Sequence, residues 1–373
     1  MQIDNLFYKF YYKWWKNIDK PILILLGLLF AIGLFFSLVS TSLIASDKLD
    51  TNSYFFFFKH LIYVLIGIMI IFIFSSLETN KLLKYSIILF FISTLSLVLV
   101  PIIGVEVKGS KRWIDLFFLP RFQPIEVLKP FLVVILAIIF CNNRLNIITK
   151  YLFSAFLVST ISLLLIIQPD IGQTLLVVFS WVVLIFTSGI NIYFLFAIFL
   201  LGSFLLAYLI FYVPKFDYIQ GRIFSFFNRE SGSHNFQSDK AIDSITSGGF
   251  FGKGIGEGTL KNRVPEAHTD YIISVISEEF GVVAIILILL LFLILIYMVF
   301  KKIRFENDNT IKLILIGSIS LILMQATIHI GVNIRLLPTT GMTLPFLSYG
   351  GSSIVSTSIL AGIILNLTKR KIN

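Results

Sequence analysis

Ten apolar runs follow one another along this chain, at about residues 21–45, 60–77, 83–103, 124–141, 151–168, 171–188, 190–213, 271–300, 311–334 and 348–368. About 20 apolar residues in a helix cross the roughly 30 Å of hydrocarbon in a bilayer. The pattern predicts an all-α polytopic membrane protein with about ten transmembrane helices and a large external loop between helices 7 and 8. Composition agrees: 57% of the 373 residues are hydrophobic and 13% charged, against about a quarter charged in a soluble domain. Such a chain cannot clothe a water-facing surface, and a soluble multidomain protein is excluded. The first run is longer than the core of a cleavable signal sequence. Cys141 is the single cysteine, which excludes an intramolecular disulfide and a zinc site built on several thiolates. Residues 1–373 read as one transmembrane domain, with a cytoplasmic leader at 1–20 and a periplasmic loop at 214–270.

Ten spans put both termini on one side, and Lys and Arg placement says which. With a cytoplasmic N-terminus, fifteen of the 30 Lys and Arg face inward, fourteen face outward, and Lys129 lies within a span. Eleven of the outward charges sit in two loops, 104–123 and 214–270. Setting those aside leaves fifteen against three, so both termini are assigned to the cytoplasm. Two readings fit the basic loops. Long loops translocate whatever their charge, or an anionic ligand binds on the outer face.

Ionisable groups inside a span cost about 2.5–3.5 kcal/mol each on insertion scales, so they are candidates for function. Glu126 and Lys129, spaced i, i+3, share one helical face. They either lock helix packing as a neutralised pair or form a polar wall beside a substrate cavity. Gln123-Pro124 marks the start of their helix, where proline suits the first turn. Trp113 fits an interfacial position, while Arg112 beside it is suited to gripping a lipid phosphate with two hydrogen bonds. Asp170, after Gln168-Pro169, reads as the N-cap of the following helix.

The stretch 214–268 is too long for a simple connection. Its glycines, Gly248-Gly249 and then Gly252, Gly254, Gly256 and Gly258, make a weak phosphate nest and a better flexible re-entry to the membrane. Pro265-Glu266-Ala267-His268-Thr269-Asp270 then brings a carboxylate, an imidazole and a hydroxyl to the outer boundary. Asp270 is placed either to cap the next helix or to act as a general base. Glu278 and Glu279, two turns deeper, cannot share one face, so at most one addresses a given cavity. Pro338-Thr339-Thr340-Gly341 and Ser348 to Ser353 flank a short external loop, whose small residues permit close helix approach.

In this order the motifs resemble the SEDS family (shape, elongation, division and sporulation proteins, RodA and FtsW among them). The anchors are Lys108-Gly109-Ser110-Lys111-Arg112-Trp113, Gln123 to Lys129, Gln168-Pro169-Asp170, Pro265 to Asp270, Glu278-Glu279-Phe280-Gly281 and Leu337 to Ser353. They cover nearly the whole chain. The resemblance implies a SEDS-type fold and an inverting peptidoglycan glycosyltransferase that polymerises lipid II, the disaccharide-pentapeptide on undecaprenyl pyrophosphate. The reaction runs at the outer face of the bacterial inner membrane. The family's essential aspartate falls on Asp270, as general base. Its membrane-entry cavity falls on Arg112, Trp113, Gln123, Glu126 and Lys129. Lys111, Glu266, His268 and Thr269, from the same motifs, join them as substrate-binding candidates.

The Tyr12 to Lys20 leader and the Gly256-Glu257-Gly258-Thr259 segment are similar to the division-type branch, with the elongation type as the alternative. Implied partners are membrane lipids, a class B penicillin-binding protein transpeptidase and membrane proteins of the divisome; no nucleic acid is expected. No cofactor is assigned, and a role for Mg²⁺ or Mn²⁺ is left open, because no cluster of oxygen ligands is visible. Two positions depart from the family pattern. Thr340 stands where the division branch often has lysine, and His329 where asparagine is common. A lipid flippase and a non-catalytic divisome scaffold are the competing classes. Against a transporter, which concentrates charge at mid-membrane, most of the charged candidates gather at the outer boundary.

Overall fold

The computed structural model describes residues 2–49, 54–107, 110–116, 119–228 and 236–369. Lys108 and Gly109 of the first motif, and Arg370 and Lys371 at the end, lie outside the described residues. After an N-terminal helix α1 (Gln2–Asn17), each apolar run forms a helix. These are α2 (Lys20–Leu49), α3 (Phe55–Ser76), α4 (Thr79–Ile103), α5 (Pro124–Cys141), α6 (Ile147–Ile167), α7 (Ile171–Thr187) and α8 (Ile192–Tyr212). The last three, after two shorter helices in the 214–268 stretch, are α11 (Ile272–Phe305), α12 (Asn309–Asn333) and α13 (Gly351–Leu367). Seven of them, α2 to α6, α11 and α12, are long and apolar enough to cross a membrane. Helices α7 and α13 are apolar but shorter.

The centre of the bundle is α5, α12 and α13, while α3, α4 and α6 turn large apolar side chains outward. Helix α13 can be buried along almost its whole length because it is small. Its serines and glycines let α3 approach closely: a Cβ on Gly67 would come within 2.5 Å of Ser358 Oγ, and one on Gly362 within 2.7 Å of Phe74 Cβ. Where lipid is as apolar as leucine, such backbone proximity is what draws helices together.

Both chain ends gather at one end of the bundle. Trp14 on α1 donates to Ser75 Oγ of α3 at 2.8 Å, and Lys302 of α11 pairs with Asp19 Oδ2 at 2.5 Å. From α13 and beyond, Asn366 donates to Phe74 O and Leu77 O, and Lys369 donates to Leu77 O at 2.8 Å.

The opposite end carries the motifs, and here the architecture departs from purely helical. Residues 105–122 form an antiparallel meander of β1 (Val105–Val107), β2 (Ser110–Leu116) and β3 (Leu119–Phe122). Glu106 faces Lys111 and Ile114 faces Phe122. Within β2, Ile114 is the buried residue, while Lys111 and Asp115 on the same strand are exposed. The described residues of the 214–268 stretch hold α9 (Asp217–Asn228) and α10 (Phe236–Gly248), with a 3-10 turn at Leu260–Arg263.

Helix α11 is broken at Gly281, whose φ of 75° and ψ of −177° are non-helical. The glycine-rich segment fills the break. Val282 N and Val283 N donate to Gly249 O and Phe250 O, while Lys253 N and Gly254 N donate to Glu278 O and Glu279 O. A Cβ on Gly252 would lie 2.1 Å from Glu279 O. Gly248, Gly252 and Gly258 therefore pack closely against α11, where the sequence suggests a flexible re-entry.

Candidate functional site

Two polar assemblies stand at the motif-bearing end, joined by the 338–350 loop. The first grows from α5. Pro124 occupies its first turn, so the i, i+3 spacing brings Lys129 Nζ to 2.8 Å from Glu126 Oε2 with both side chains at most 5% exposed. Lys129 also donates to Gln173 Oε1 of α7 and Gln325 Oε1 of α12, each at 3.1 Å. Gln173 Nε2 returns a bond to Glu126 Oε1 at 2.5 Å. A buried ion pair is tolerated when its remaining donors and acceptors are met, and two glutamines do that here. Sequence reasoning missed both; the signal available was a glutamine in a span, once per helix, facing the same charge.

Just outside, Gln123 Nε2 donates to Asp170 Oδ2 at 2.7 Å and Gln123 N to Ser352 Oγ makes a second tie at 3.0 Å into α13. Asp170 caps α7 as expected, accepting from Gln173 N at 3.3 Å. It does more than cap. Arg112 Nη1 stands 3.9 Å from Asp170 Oδ1, Arg112 Nε donates to Gln168 O at 3.1 Å, and Nη2 donates to Pro169 O. Burial pushes the Asp170 carboxyl up, and the Arg112 charge pulls it back. Arg112 therefore spans the 168–170 turn. Lys111, exposed, lines a neighbouring cleft of about 320 Å³ with Pro101, Glu106, Ser110, Gln168 and Pro169. Trp113, half-buried on β2, faces Val105 across the sheet.

The second assembly is the turn that carries Asp270. Glu266 adopts φ of 55°, and its carbonyl accepts from Thr269 N at 3.1 Å, Asp270 N at 3.1 Å and Tyr271 N at 3.3 Å. Thr269 Oγ1 reaches Glu266 Oε2 at 3.1 Å. Neither Thr269 nor Asp270 caps α11; Tyr271 holds that position without a side-chain bond. Asn333 Nδ2 holds Asp270 O at 3.0 Å. The carboxylate is half-buried and faces Gly341, where a Cβ would sit 3.5 Å from Oδ2.

Arg222, from α9, donates to Thr339 O at 3.1 Å, bringing a guanidinium to the same loop. Arg222 is the residue sequence reading did not single out. Its only signal was a basic side chain within the apolar sequence of α9. Thr340, at the position noted for lysine, is buried, with no hydrogen-bond partner for Oγ1. His329 Nδ1 lies 2.7 Å from Met342 O.

The loop between α12 and α13 joins the two assemblies. Ser348 Oγ donates to Thr269 O at 2.7 Å, and Tyr349 N donates to His268 O at 3.1 Å. On the other side Gln325 Nε2 donates to Thr343 O at 3.1 Å, and Thr343 Oγ1 to Ser353 Oγ at 2.6 Å. Hydrogen bonds thus run from Lys129 to the backbone beside Asp270. His268 packs its ring against Phe56 and Tyr349, with centroids 4.9 and 5.7 Å away.

Glu278 and Glu279 turn to one loop, and not to separate cavities. Glu278 accepts from Leu260 N at 2.9 Å, Lys261 N at 2.6 Å and Ser244 Oγ at 2.8 Å. Glu279 accepts from Gly256 N at 2.5 Å and from the fully buried Lys261 ammonium. The loop wraps the end of a broken helix, so two adjacent faces meet it. Among the described residues, no three of His, Cys, Asp or Glu converge to hold a metal ion.

Comparison with known proteins bears on this arrangement. The cell cycle protein family of FtsW, RodA and SpoVE matches residues 19–373. A probable peptidoglycan glycosyltransferase FtsW of Caulobacter vibrioides is 30% identical over 361 residues, covering 96% of this chain and 91% of that protein. The corresponding protein of Coxiella burnetii is 33% identical, covering 91% and 93%. Among solved structures, a chain of a peptidoglycan synthase complex that coordinates polymerization and crosslinking superposes with a TM-score of 0.76 at 25% identity, covering 94% of this chain and 97% of that one. The rod shape determining protein RodA of Thermus thermophilus gives 0.69 at 26% identity, covering 94% and 96%.

Proposed function

The chain belongs to the cell cycle protein family of FtsW, RodA and SpoVE and is a peptidoglycan glycosyltransferase, and from that premise we propose that it polymerises lipid II during cell division with Asp270 as general base. The observation that carries the reading is the seat of Asp270. Its half-buried carboxylate faces the 338–341 loop, on which Arg222 also lands. A base and a cation on one loop are what an inverting transfer to a sugar hydroxyl needs.

The acceptor's 4-hydroxyl gives its proton to Asp270 as its oxygen bonds to the donor's anomeric carbon. The bond from that carbon to the pyrophosphate oxygen breaks, its electron pair leaves on undecaprenyl pyrophosphate, and the configuration inverts from α to β. Charge growing on the diphosphate is met by fixed donors, of which Arg222 is the nearest to Asp270 by its loop contact and Lys111 lies at the outer cleft. Preorganised cations aimed at developing charge lower a barrier more than mobile ones do. Glu126, Lys129, Gln123 and Arg112 hold the cavity wall. Glu266, His268 and Thr269 shape the turn around the base.

The protein works as a multi-pass protein of the bacterial inner membrane, with both termini cytoplasmic and the motif-bearing end periplasmic. The gathering of α1, Lys302 and Lys369 at the other end supports that orientation. A class B penicillin-binding protein crosslinks the product, in keeping with the synthase complex whose fold this chain resembles. The FtsW relatives favour division; the likeness to RodA supports elongation as the second reading. Depletion separates these two, giving filaments for division and rounded cells for elongation.

The test uses purified protein, its transpeptidase partner and fluorescent lipid II. Long glycan strands form with the wild type and vanish with Asp270→Ala. Lipid II that changes leaflet without polymerising would identify a transporter instead. Strands from the alanine variant would remove Asp270 from the base role.

A further inference from the structure

Helix α1 takes no part in the chemistry, yet its surface is strongly patterned. Lys9, Lys13 and Lys16 recur at intervals of four and three residues, which places them on a single stripe of α1, and Lys20 follows as the first residue of α2. All four are exposed. Beside the stripe stand Tyr8, Tyr11, Tyr12 and Trp15, also exposed, at 66%, 43%, 59% and 40%. Tyr8 stacks on Tyr12 and Tyr11 on Trp15, two ring pairs on the side next to the lysines. Lys20 lies over the Trp15 ring, 5.2 Å from its centroid.

The helix is also held in place. Trp14, the half-buried member of the aromatic set, donates to Ser75 Oγ and meets Phe72 edge-on with centroids 4.9 Å apart. Both partners lie in the last turn and a half of α3, where α3 passes into α4. The chain then turns at Ile18–Asp19, and Asp19 is fixed by Lys302. Lysines on one stripe, aromatic rings on the next and a tether at the end of a spanning helix describe an amphipathic helix lying in the plane of a membrane surface. Tyrosine and tryptophan favour headgroup depth, and long lysine stems reach from there to phosphate.

We propose that α1 is an interfacial helix whose Lys9, Lys13 and Lys16 stripe binds anionic phospholipid headgroups of the leaflet at the end where the chain termini meet. Charge complementarity selects the ligand. Residues 2–17 hold these three lysines against one acid, Asp4, and basic segments at a membrane surface are drawn to anionic lipid by about fivefold per lysine. The docked Trp14 keeps the stripe at a fixed depth, so the binding orients the adjoining α2 as well.

The experiment places the full-length protein in nanodiscs of phosphatidylcholine alone or of phosphatidylcholine mixed with phosphatidylglycerol, and follows backbone hydrogen exchange in residues 2–17. Exchange slows by about tenfold or more in the anionic discs. High salt removes the difference, because the attraction is screened, and so does the triple variant Lys9→Gln/Lys13→Gln/Lys16→Gln. Equal exchange in the two discs would overturn the proposal and assign the stripe to a protein partner or to no partner. A triple variant that keeps the dependence on phosphatidylglycerol would overturn it equally. None of these outcomes depends on the polymerase reading.

Discussion

Replacing Lys129 by methionine isolates what the buried charge network does. In the wild type its ammonium is shared by Glu126 Oε2 at 2.8 Å and by Gln173 Oε1 and Gln325 Oε1 at 3.1 Å. Lys129→Met keeps most of the side-chain volume and leaves the Glu126 carboxylate buried with only the Gln173 amide. Removing one partner of a buried pair costs about 3–5 kcal/mol, and two orphaned amide oxygens push the loss toward the upper figure. The double change Glu126→Leu/Lys129→Met removes both charges, and such replacements are often neutral. Its expected stability is therefore within about 1.5 kcal/mol of wild type. Reversible unfolding in mixed micelles measures all three proteins, and lipid II polymerisation is followed on the same preparations. The account expects the single variant to be unstable and inactive, and the double variant to be stable and still inactive. A double variant as active as wild type would show that the pair only locks packing. A single variant as stable as wild type would refute the electrostatic reasoning itself.

Further outcomes follow from other contacts. Gly252→Ala places a Cβ 2.1 Å from Glu279 O at a φ of 79°, so thermal unfolding should register a loss of about 2–3 kcal/mol. Arg222→Gln should lower kcat about a hundredfold with little change in KM, since its charge is aimed at the departing diphosphate; a change confined to KM would make it a ground-state binder. Burial lowers the Lys369 pKa to about 8 from 10.5. The unfolded chain thus binds more protons between those values, and stability should rise with pH across that window, the penalty being fully present below it. Melting temperatures of Lys369→Met should lack the rise.

The spans were legible because lipid imposes one rule on every residue of a run, and each apolar stretch became a helix. The Glu126–Lys129 pair and the Asp170 cap were legible for a related reason: both depend on spacing within one or two turns. What escaped was tertiary. Gln173 and Gln325 act on Lys129 from two other helices, and no local pattern ties them to it. Arg222 is nearly fifty residues before Asp270 in the chain and reaches the same loop from α9. The glycine segment read as a flexible re-entry because its partner, the broken end of α11 at Gly281, lies about thirty residues further along. The β-meander at 105–122 was hidden by its brevity, since three to seven residues per strand carry little periodicity. Thr340 shows the converse: a missing lysine was visible in the sequence, while the guanidinium on the neighbouring carbonyl was not.

The account stands most directly on one comparison, the polymerisation rate of Asp270→Asn beside its affinity for lipid II. Asparagine keeps the shape and the backbone bonds of the turn but cannot take a proton. The prediction is a rate reduced by about a hundredfold or more with lipid II bound as tightly as by the wild type. Polymerisation at the wild-type rate, or loss of activity that merely follows loss of binding, would contradict it.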